Sequence, residues 1–86
     1  MIKKFMGYTD PFHGWIKVSK KMIEDLGLQN KISKCSYMKG DFVYLEYCKD
    51  ANLVFGELTR RGIAHIIDYK RSNRSSRIRN YESYQV

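Results

Sequence analysis

The residues with the clearest chemical potential lie in the last seventeen positions, where arginines are separated by small polar residues and two tyrosines follow. Residues 70–86 hold five cations and one acid, whereas the preceding residues hold eleven cations and eight acids. A guanidinium grips phosphate through two parallel hydrogen bonds, and arginine and tyrosine both offer flat faces to unpaired bases. The pattern therefore predicts RNA binding. The alternative interpretation is a solvated chain terminus.

The predicted RNA-binding residues include this tail and two dibasic pairs in the predicted helices. Arg60 and Arg61 end a helix, where the helix dipole explains cations equally well. Lys20 and Lys21 lie in a first turn, where the dipole disfavours them, so phosphate contact is one explanation. The tail tyrosines are expected either to stack on bases or to dock the tail onto the domain. The full set is Lys70, Arg71, Arg74, Arg77, Arg79, Tyr81, Tyr84, Arg60, Arg61, Lys20 and Lys21, with Lys3, Lys4 and Lys17 as further basic neighbours.

Two histidines are the remaining candidates for catalysis. His13 and His65 could cleave RNA by general acid–base chemistry if the fold brought them to one phosphate. Single histidines in a loop and in a strand are more often structural, so we predict no enzymatic activity. Cys35 and Cys48 lack CxxC spacing and are expected to be free thiols, with no metal site and no cofactor. The chain also lacks a glycine-rich phosphate loop and a GxSxG motif.

The elements that must position these residues are short and follow the order β-α-β-β-α-β. This is the split-βαβ, ferredoxin-like order, which predicts an α+β fold with two helices on one face of a four-stranded antiparallel sheet. Residues 1–69 form the predicted core domain and residues 70–86 a basic C-terminal arm beyond it. The predicted elements are a loop at 7–14, a strand at 15–18, a helix at 20–26, strands at 34–38 and 42–47 around a turn at 39–41, a helix at 51–61 and a strand at 63–69.

Local signals mark where the helices begin and end and which side chains they bury. Ser19 and Asp50 are the predicted caps, and Gly27 and Gly62 the predicted stops. The expected core side chains recur with helical or strand periodicity. They are Met22, Ile23, Leu26, Val43, Leu45, Tyr47, Ala51, Val54, Phe55, Leu58, Ile63 and Ile67. Tyr37 and Tyr44 are expected to pair across the hairpin, the alternative being an exposed stacking platform.

Size and composition limit the class of protein. Eighty-six residues suffice for one domain, and such a small core makes homodimerisation a reasonable expectation. No apolar run approaches the roughly 20 residues that span a bilayer, and the N-terminus lacks a signal-peptide pattern. We therefore expect an intracellular protein without a membrane partner.

Residues 10–18 (DPFHGWIKV) resemble a group of small phage-encoded accessory proteins. The resemblance continues through residues 32–37, 43–46, 50–51 and 78–84 and covers most of the chain. Members typically continue Tyr-Leu-Glu with further acids and Cys-Asp, whereas residues 47–50 here read YCKD, so this chain departs from the group at the acidic run. Within this group the chain is most similar to the ToxN-inhibitory factor (TifA) family of T-even coliphages.

This resemblance implies a small basic dimer in the cytoplasm of the infected host cell. Such a protein binds RNA and neutralises a host toxin, an endoribonuclease used in abortive-infection defence. The main alternative is a protein-interaction module that binds a host protein without nucleic acid. A duplex-DNA binder ranks third, because a hairpin separates the two predicted helices and leaves no helix-turn-helix.

Overall fold

The order of the strands across the sheet decides which residues meet. A computed structural model describes residues 2–47, 49–71 and 77–85. Within them, one six-stranded sheet has the order β5-β1-β2-β4-β3-β6. The elements are β1 (Lys3–Thr9), β2 (Gly14–Ser19), α1 (Lys20–Asp25), β3 (Tyr37–Lys39), β4 (Phe42–Glu46), α2 (Asp50–Arg60), β5 (His65–Arg71), the 3₁₀ helix η1 (Arg77–Asn80) and β6 (Glu82–Ser83).

The predicted four-stranded sheet is wrong in strand number. The succession β2-α1-β3-β4-α2-β5 repeats the predicted element order, but β1 lies between β2 and β5 and pairs with β5 in parallel. β6 adds to the outer side of β3. The ferredoxin-like arrangement is therefore not confirmed, whereas mixed helix and sheet in one small domain is. The Cα radius of gyration is 12.2 Å, close to the roughly 12 Å expected for one domain of this length.

Strand β1 replaces the first part of the predicted loop at 7–14. Only residues 10–13 turn, and there the Asp10 carboxylate accepts hydrogen bonds from the backbone N–H groups of Phe12 and His13, both at 2.8 Å. Gly7 was predicted to begin a loop, but it lies inside β1, directly beside the Tyr69 ring. A Cβ at Gly7 would lie 2.5 Å from that ring, so the glycine marks a close approach between strands.

The helix signals largely predict the helices that form. Ser19 caps α1, because its Oγ accepts a hydrogen bond from the Met22 N–H at 3.1 Å. Gly27 and Gly62 follow the two helices with φ values of 72° and 73°, a conformation that glycine adopts without strain. The role predicted for Asp50 is wrong: it is the first residue of α2, Lys49 occupies the cap position, and the Asp50 carboxylate bonds a distant loop instead.

The main core lies between the helices and one face of the sheet. Val43 and Leu45 from β4 are fully buried there, and all four predicted α2 positions are buried as well. Tyr47 does not join them and is 52% exposed, because β4 ends at Glu46 and the chain turns. The buried members of this core are Phe5, Ile16, Val18, Ile23, Leu26, Leu28, Ile32, Val43, Leu45, Ala51, Val54, Phe55, Leu58 and Tyr84.

The opposite face of the sheet carries a smaller, aromatic core. Trp15 and Tyr44 are buried against Ile78 of η1, which is only 4% exposed. The described C-terminal residues therefore pack on the domain rather than extend beyond it. The predicted division at residue 69/70 differs from this arrangement, since β5 continues to Arg71 and both Ile78 and Tyr84 are buried. None of the helices in the described ranges is long and apolar enough to cross a membrane.

Candidate nucleic-acid interface

Lysines gather at the end of the sheet where β1 begins and β2 ends. Lys17 lies opposite Met6 on one side and Tyr44 on the other, so these three side chains share the face opposite the helices. A groove of about 640 Å³ opens at this end. Its lining consists of four lysines, one acid and six other residues: Lys3, Lys4, Lys17, Lys21, Asp25, Phe5, Met6, Val18, Ser19, Met22 and Phe42.

A second groove, of about 570 Å³, lies beside the first. The two are neighbours because Lys39, which lines the second, pairs across the hairpin with Phe42, which lines the first. The second groove is lined by Lys20, Met38, Lys39, Gly40, Asn80, Tyr81 and Glu82. We call the six lysines of both grooves the lysine end: Lys3, Lys4, Lys17, Lys20, Lys21 and Lys39.

The charge of the lysine end is only partly neutralised. Two acids, Asp25 and Glu82, line the grooves beside its six lysines. Lys4 also approaches Asp68 of β5 at 3.8 Å, but both side chains are more than half exposed, and such a pair contributes little. The lysine end therefore presents an excess of positive charge around two open grooves, which suits a polyanion.

Two aromatic rings accompany these lysines. Phe42 is 41% exposed, and the Lys17 ammonium lies 4.1 Å from the centroid of its ring. The Lys39 ammonium lies 4.8 Å from the centroid of the Tyr81 ring. Each ring thus has one face against a cation at the surface of a groove, the arrangement of a cation–π contact.

The Tyr81 ring is held in place by the aromatic core beneath it. Its centroid lies 5.1 Å from that of Tyr44, and its backbone N–H donates to the Ile78 carbonyl at 3.0 Å. Burial raises the pKa of the Tyr44 hydroxyl, and the neighbouring Tyr81 and Tyr8 raise it further. Tyr44 is therefore a buried residue that packs beneath the Tyr81 ring. Tyr37 is half-buried beside Trp15. The expected cross-strand pairing of Tyr37 with Tyr44 is present in the register.

Tyr84 docks the C-terminal segment onto the domain. It is 7% exposed, its N–H donates to the Ser36 carbonyl at 2.8 Å, and its hydroxyl donates to the Gln29 carbonyl at 2.7 Å. Burial raises the pKa of this hydroxyl, with a smaller contribution from Glu24. Of the two roles predicted for the tail tyrosines, docking is therefore the one that Tyr84 has in this structure.

A buried carboxylate organises the loop that receives Tyr84. Asp50 is 1% exposed and accepts hydrogen bonds from the Ser33 hydroxyl at 2.7 Å and the Ser36 hydroxyl at 2.5 Å. It also accepts from the Ser33 N–H at 3.2 Å. The Ser36 hydroxyl in turn accepts from the Glu46 N–H at 2.9 Å. One side chain at the start of α2 thus fixes the loop before β3 and ties it to the end of β4.

The structure separates the predicted phosphate contacts. Lys20 and Lys21 belong to the lysine end, but Lys70 and Arg71 lie at the far end of β5. The register shows this, since Lys3 lies opposite His65 and Thr9 opposite Arg71; six strand steps span about 20 Å. Arg74 and the side chains of Arg77 and Arg79 lie outside the described part of the chain.

Arg60 and Arg61 have an intramolecular partner. The Glu57 carboxylate accepts from the Arg60 Nη2 at 2.5 Å and from the Arg61 Nε at 2.6 Å. These hydrogen bonds, Arg60 first, lower the pKa of Glu57 to about 2. Glu57 therefore already neutralises part of the positive charge of this pair, and this partner is separate from the helix-dipole explanation given for these arginines.

The two histidines lie too far apart to form a catalytic pair. His65 starts β5 opposite Lys3, whereas His13 precedes Gly14, which pairs with Thr9 at the other end of β1. The same strand length of about 20 Å separates these ends, so one phosphate cannot contact both side chains. In the described ranges no three His, Cys, Asp or Glu side chains converge in a way that could hold a metal ion; Cys48 lies outside those ranges.

No family model, curated protein or solved structure matches this chain. Lys3, Lys4 and Lys17 were predicted as basic neighbours of the site, whereas Lys39 and Phe42 were not predicted to belong to it. The signal available for these two was their position on either side of the predicted hairpin turn, which places a cation and an aromatic ring across from each other.

Proposed function

We propose that this protein binds RNA at its lysine end and thereby inhibits a host endoribonuclease during phage infection. The observation that carries the proposal is the convergence of six lysines and two acids around two adjoining open grooves. Ammonium groups spread over such a surface can follow a phosphate backbone and release its counterions. The tail cations predicted from the sequence add to the net positive charge that attracts RNA, although Lys70 and Arg71 lie at the far end of β5.

The inhibitory step rests on the resemblance to the ToxN-inhibitory factors. A small basic protein can block an endoribonuclease by covering its RNA substrate, or by holding enzyme and RNA in an inactive complex. Both routes need RNA affinity that persists near physiological salt, and neither needs a catalytic residue of the inhibitor. We propose that the protein acts in this way in the cytoplasm of the infected cell.

The RNA-binding step is tested by measuring affinity against salt. If the four lysines of the larger groove each contact a phosphate, log K should fall with log salt with a slope of about −2.8 for a single strand. Changing Lys17 and Lys21 to glutamine should weaken binding and reduce the slope to about −1.4. The charge-matched control changes Lys31 and Lys49, which are exposed and line neither groove, and should have a smaller effect.

Equal losses in the two double variants would refute a specific site at the lysine end. Loss of all binding in the parent protein at physiological salt would refute the proposed function itself. A third variant, with Arg71, Arg74, Arg77 and Arg79 changed to glutamine, measures the contribution predicted for the tail in the same assay. RNA cleavage by a purified ToxN-type endoribonuclease, with the parent and the Lys17/Lys21 variant added in turn, tests whether inhibition follows RNA affinity.

Strand β5 is the surface we propose for homodimerisation. It lies at the edge of the sheet and exposes Ile66 by 52% and Tyr69 by 46%. Antiparallel pairing of two β5 strands about Ile67 would set Ile66 opposite Asp68 of the second copy, whereas pairing about Asp68 would oppose two carboxylates. An Ile66→Asp change should therefore give a monomer by light scattering, while Ile66→Lys should stay dimeric. Identical masses for the two variants would contradict this pairing.

The same exposed edge favours the second candidate function, a module that binds a host protein. An extended segment of a partner could add to β5 through main-chain hydrogen bonds. Capture of the toxin that survives nuclease treatment and is unchanged in the Lys17/Lys21 variant would favour this alternative over RNA binding.

A further inference from the structure

We infer that Phe42 and Tyr81 are base-stacking residues, so that the lysine end recognises unpaired nucleotides rather than duplex. The inference rests on the proposed RNA binding and adds the class of RNA and the side chains that read it. Phe42 starts β4 on the face opposite the helices, and Tyr81 follows η1 on the same face. Both rings line the grooves that the lysines surround.

Core packing does not explain the position of Phe42. Its neighbours along β4, Val43 and Leu45, point to the helices and are fully buried, whereas Phe42 remains 41% exposed. It belongs to neither of the two hydrophobic clusters formed by the described residues. A large aromatic side chain at the mouth of a basic groove is a typical feature of proteins that bind single strands.

The lysine over each ring can be exchanged for a base. A cation–π contact at an exposed site is a weak interaction, and stacking of a base on an aromatic side chain is stronger. A base that displaces the Lys17 ammonium from Phe42 therefore gains free energy. The displaced ammonium, on its flexible stem, is released beside the same nucleotide, where it can contact the phosphate. Lys39 and Tyr81 form a second pair with the same properties.

Lys39 connects the two rings. Lys39 lies directly across from Phe42 in the hairpin register and also reaches the Tyr81 ring. One lysine is thus adjacent to both stacking positions, and its ammonium can contact the phosphate of a nucleotide bound at either. Bases in an A-form duplex are paired and stacked on each other, and its deep major groove is closed to side chains. The two rings can therefore act only on unpaired RNA.

Binding of three RNA probes to the full-length protein tests the inference. The probes are a ten-nucleotide oligouridine, the same backbone with abasic riboses, and a fully paired RNA of equal charge. We expect the oligouridine to bind tightest. Phe42→Leu should weaken its binding about 5- to 150-fold, the range that corresponds to loss of one base–aromatic stack, and should leave the abasic probe unaffected. Phe42→Trp should retain binding, and its added fluorescence should be quenched by oligouridine; the native Trp15 is 2% exposed and serves as the background.

The outcomes separate this inference from the proposed function. Equal binding of Phe42→Leu and parent, with weak binding by the Lys17/Lys21 variant, would overturn the stacking roles and leave RNA binding intact. Tight binding of the paired or abasic probe would also overturn them. Failure of the parent to bind any probe would overturn the proposed function. Because Tyr81 packs on Tyr44, Tyr81→Leu can also destabilise the fold, so its RNA affinity is compared together with its thermal melting curve. Phe42→Leu is therefore the variant that tests the stacking roles.

Discussion

Replacing Asp50 with alanine should destabilise the whole domain, because this carboxylate is both buried and fully engaged. It is 1% exposed and accepts hydrogen bonds from the Ser33 hydroxyl, the Ser36 hydroxyl and the Ser33 N–H. Alanine removes the acceptor but leaves the donors. The Ser36 side chain has no access to solvent, with 0% exposure, so water cannot replace the lost partner without a rearrangement of the loop.

The magnitude follows from the donors that remain. Each buried donor left without an acceptor costs about 1–3 kcal/mol. The Ser36 hydroxyl is fully buried and the Ser33 groups are partly buried, so we expect Asp50→Ala to lower the free energy of unfolding by about 2–5 kcal/mol. A domain of this length is stable by roughly 4–13 kcal/mol in total. The variant should therefore lose a large share of its stability, whereas Asp50→Asn, which keeps one oxygen, should lose less.

Urea unfolding followed by circular dichroism measures this loss. Asp41→Ala is the control, since Asp41 is an exposed aspartate in the hairpin turn, and it should change stability by no more than about 0.5 kcal/mol. A loss below about 1 kcal/mol for Asp50→Ala would refute the hydrogen-bonded network. The Ser36 carbonyl also receives the Tyr84 N–H at 2.8 Å, and the buried Tyr84 ring holds that backbone against the loop. A double-mutant cycle with Tyr84→Ala, which removes the ring, should therefore be non-additive by about 0.5 kcal/mol or more.

Three further measurements test other parts of the structure. Gly7→Ala should destabilise by about 1–3 kcal/mol in thermal melts, because the new Cβ would lie 2.5 Å from the Tyr69 ring; a Gly7→Ala, Tyr69→Ala double variant should recover part of the loss. The lowered pKa of Glu57, about 2 against an ordinary 4.5, means that the stability this group contributes is present above pH 4.5 and is lost as pH falls towards 2. Glu57→Gln should flatten the stability profile in that window, and an unchanged profile would contradict the ion pairs. The raised pKa values of Tyr44 and Tyr84 favour the neutral hydroxyls in the folded state, so stability should decline as pH rises above 10, and absorbance titration should show two late-ionising tyrosines that the corresponding phenylalanine variants lack.

The local elements were predictable because their signals are local. Ser19 as a cap, Gly27 and Gly62 as stops, and the apolar stripe of α2 each depend on residues a few positions apart in the chain. Asp50 shows the limit of this reasoning. An aspartate before an apolar stripe is a typical cap, yet a loop seventeen positions earlier provides its partners, and no local pattern contains that information.

The first strand was missed for a related reason. Gly7 weakens a strand and usually marks a turn, but the neighbouring ring of Tyr69 leaves no room for a side chain at that position. Since β1 pairs with β5 sixty-two positions later in the register, its stability comes from a non-local partner. The predicted sheet order therefore lacked the strand that separates β2 from β5.

The candidate site divides in the same way. Composition by itself predicted a basic protein with a partner of opposite charge, and sequence position identified Lys20, Lys21 and the tail as cations of interest. Tertiary structure decided which of these cations meet. In the β1–β5 register, Lys70 and Arg71 lie at one end of the sheet, and the lysine end lies at the opposite end.

Charge, helix boundaries and core periodicity were determined by the sequence, because each depends on residue type and short-range spacing. The approach of Lys39 to the Tyr81 ring, the docking of Tyr84 and the separation of His13 from His65 were decided only by the fold. These features arise when strands distant in the chain become neighbours in the sheet, and side chains can form a site only after that register is set.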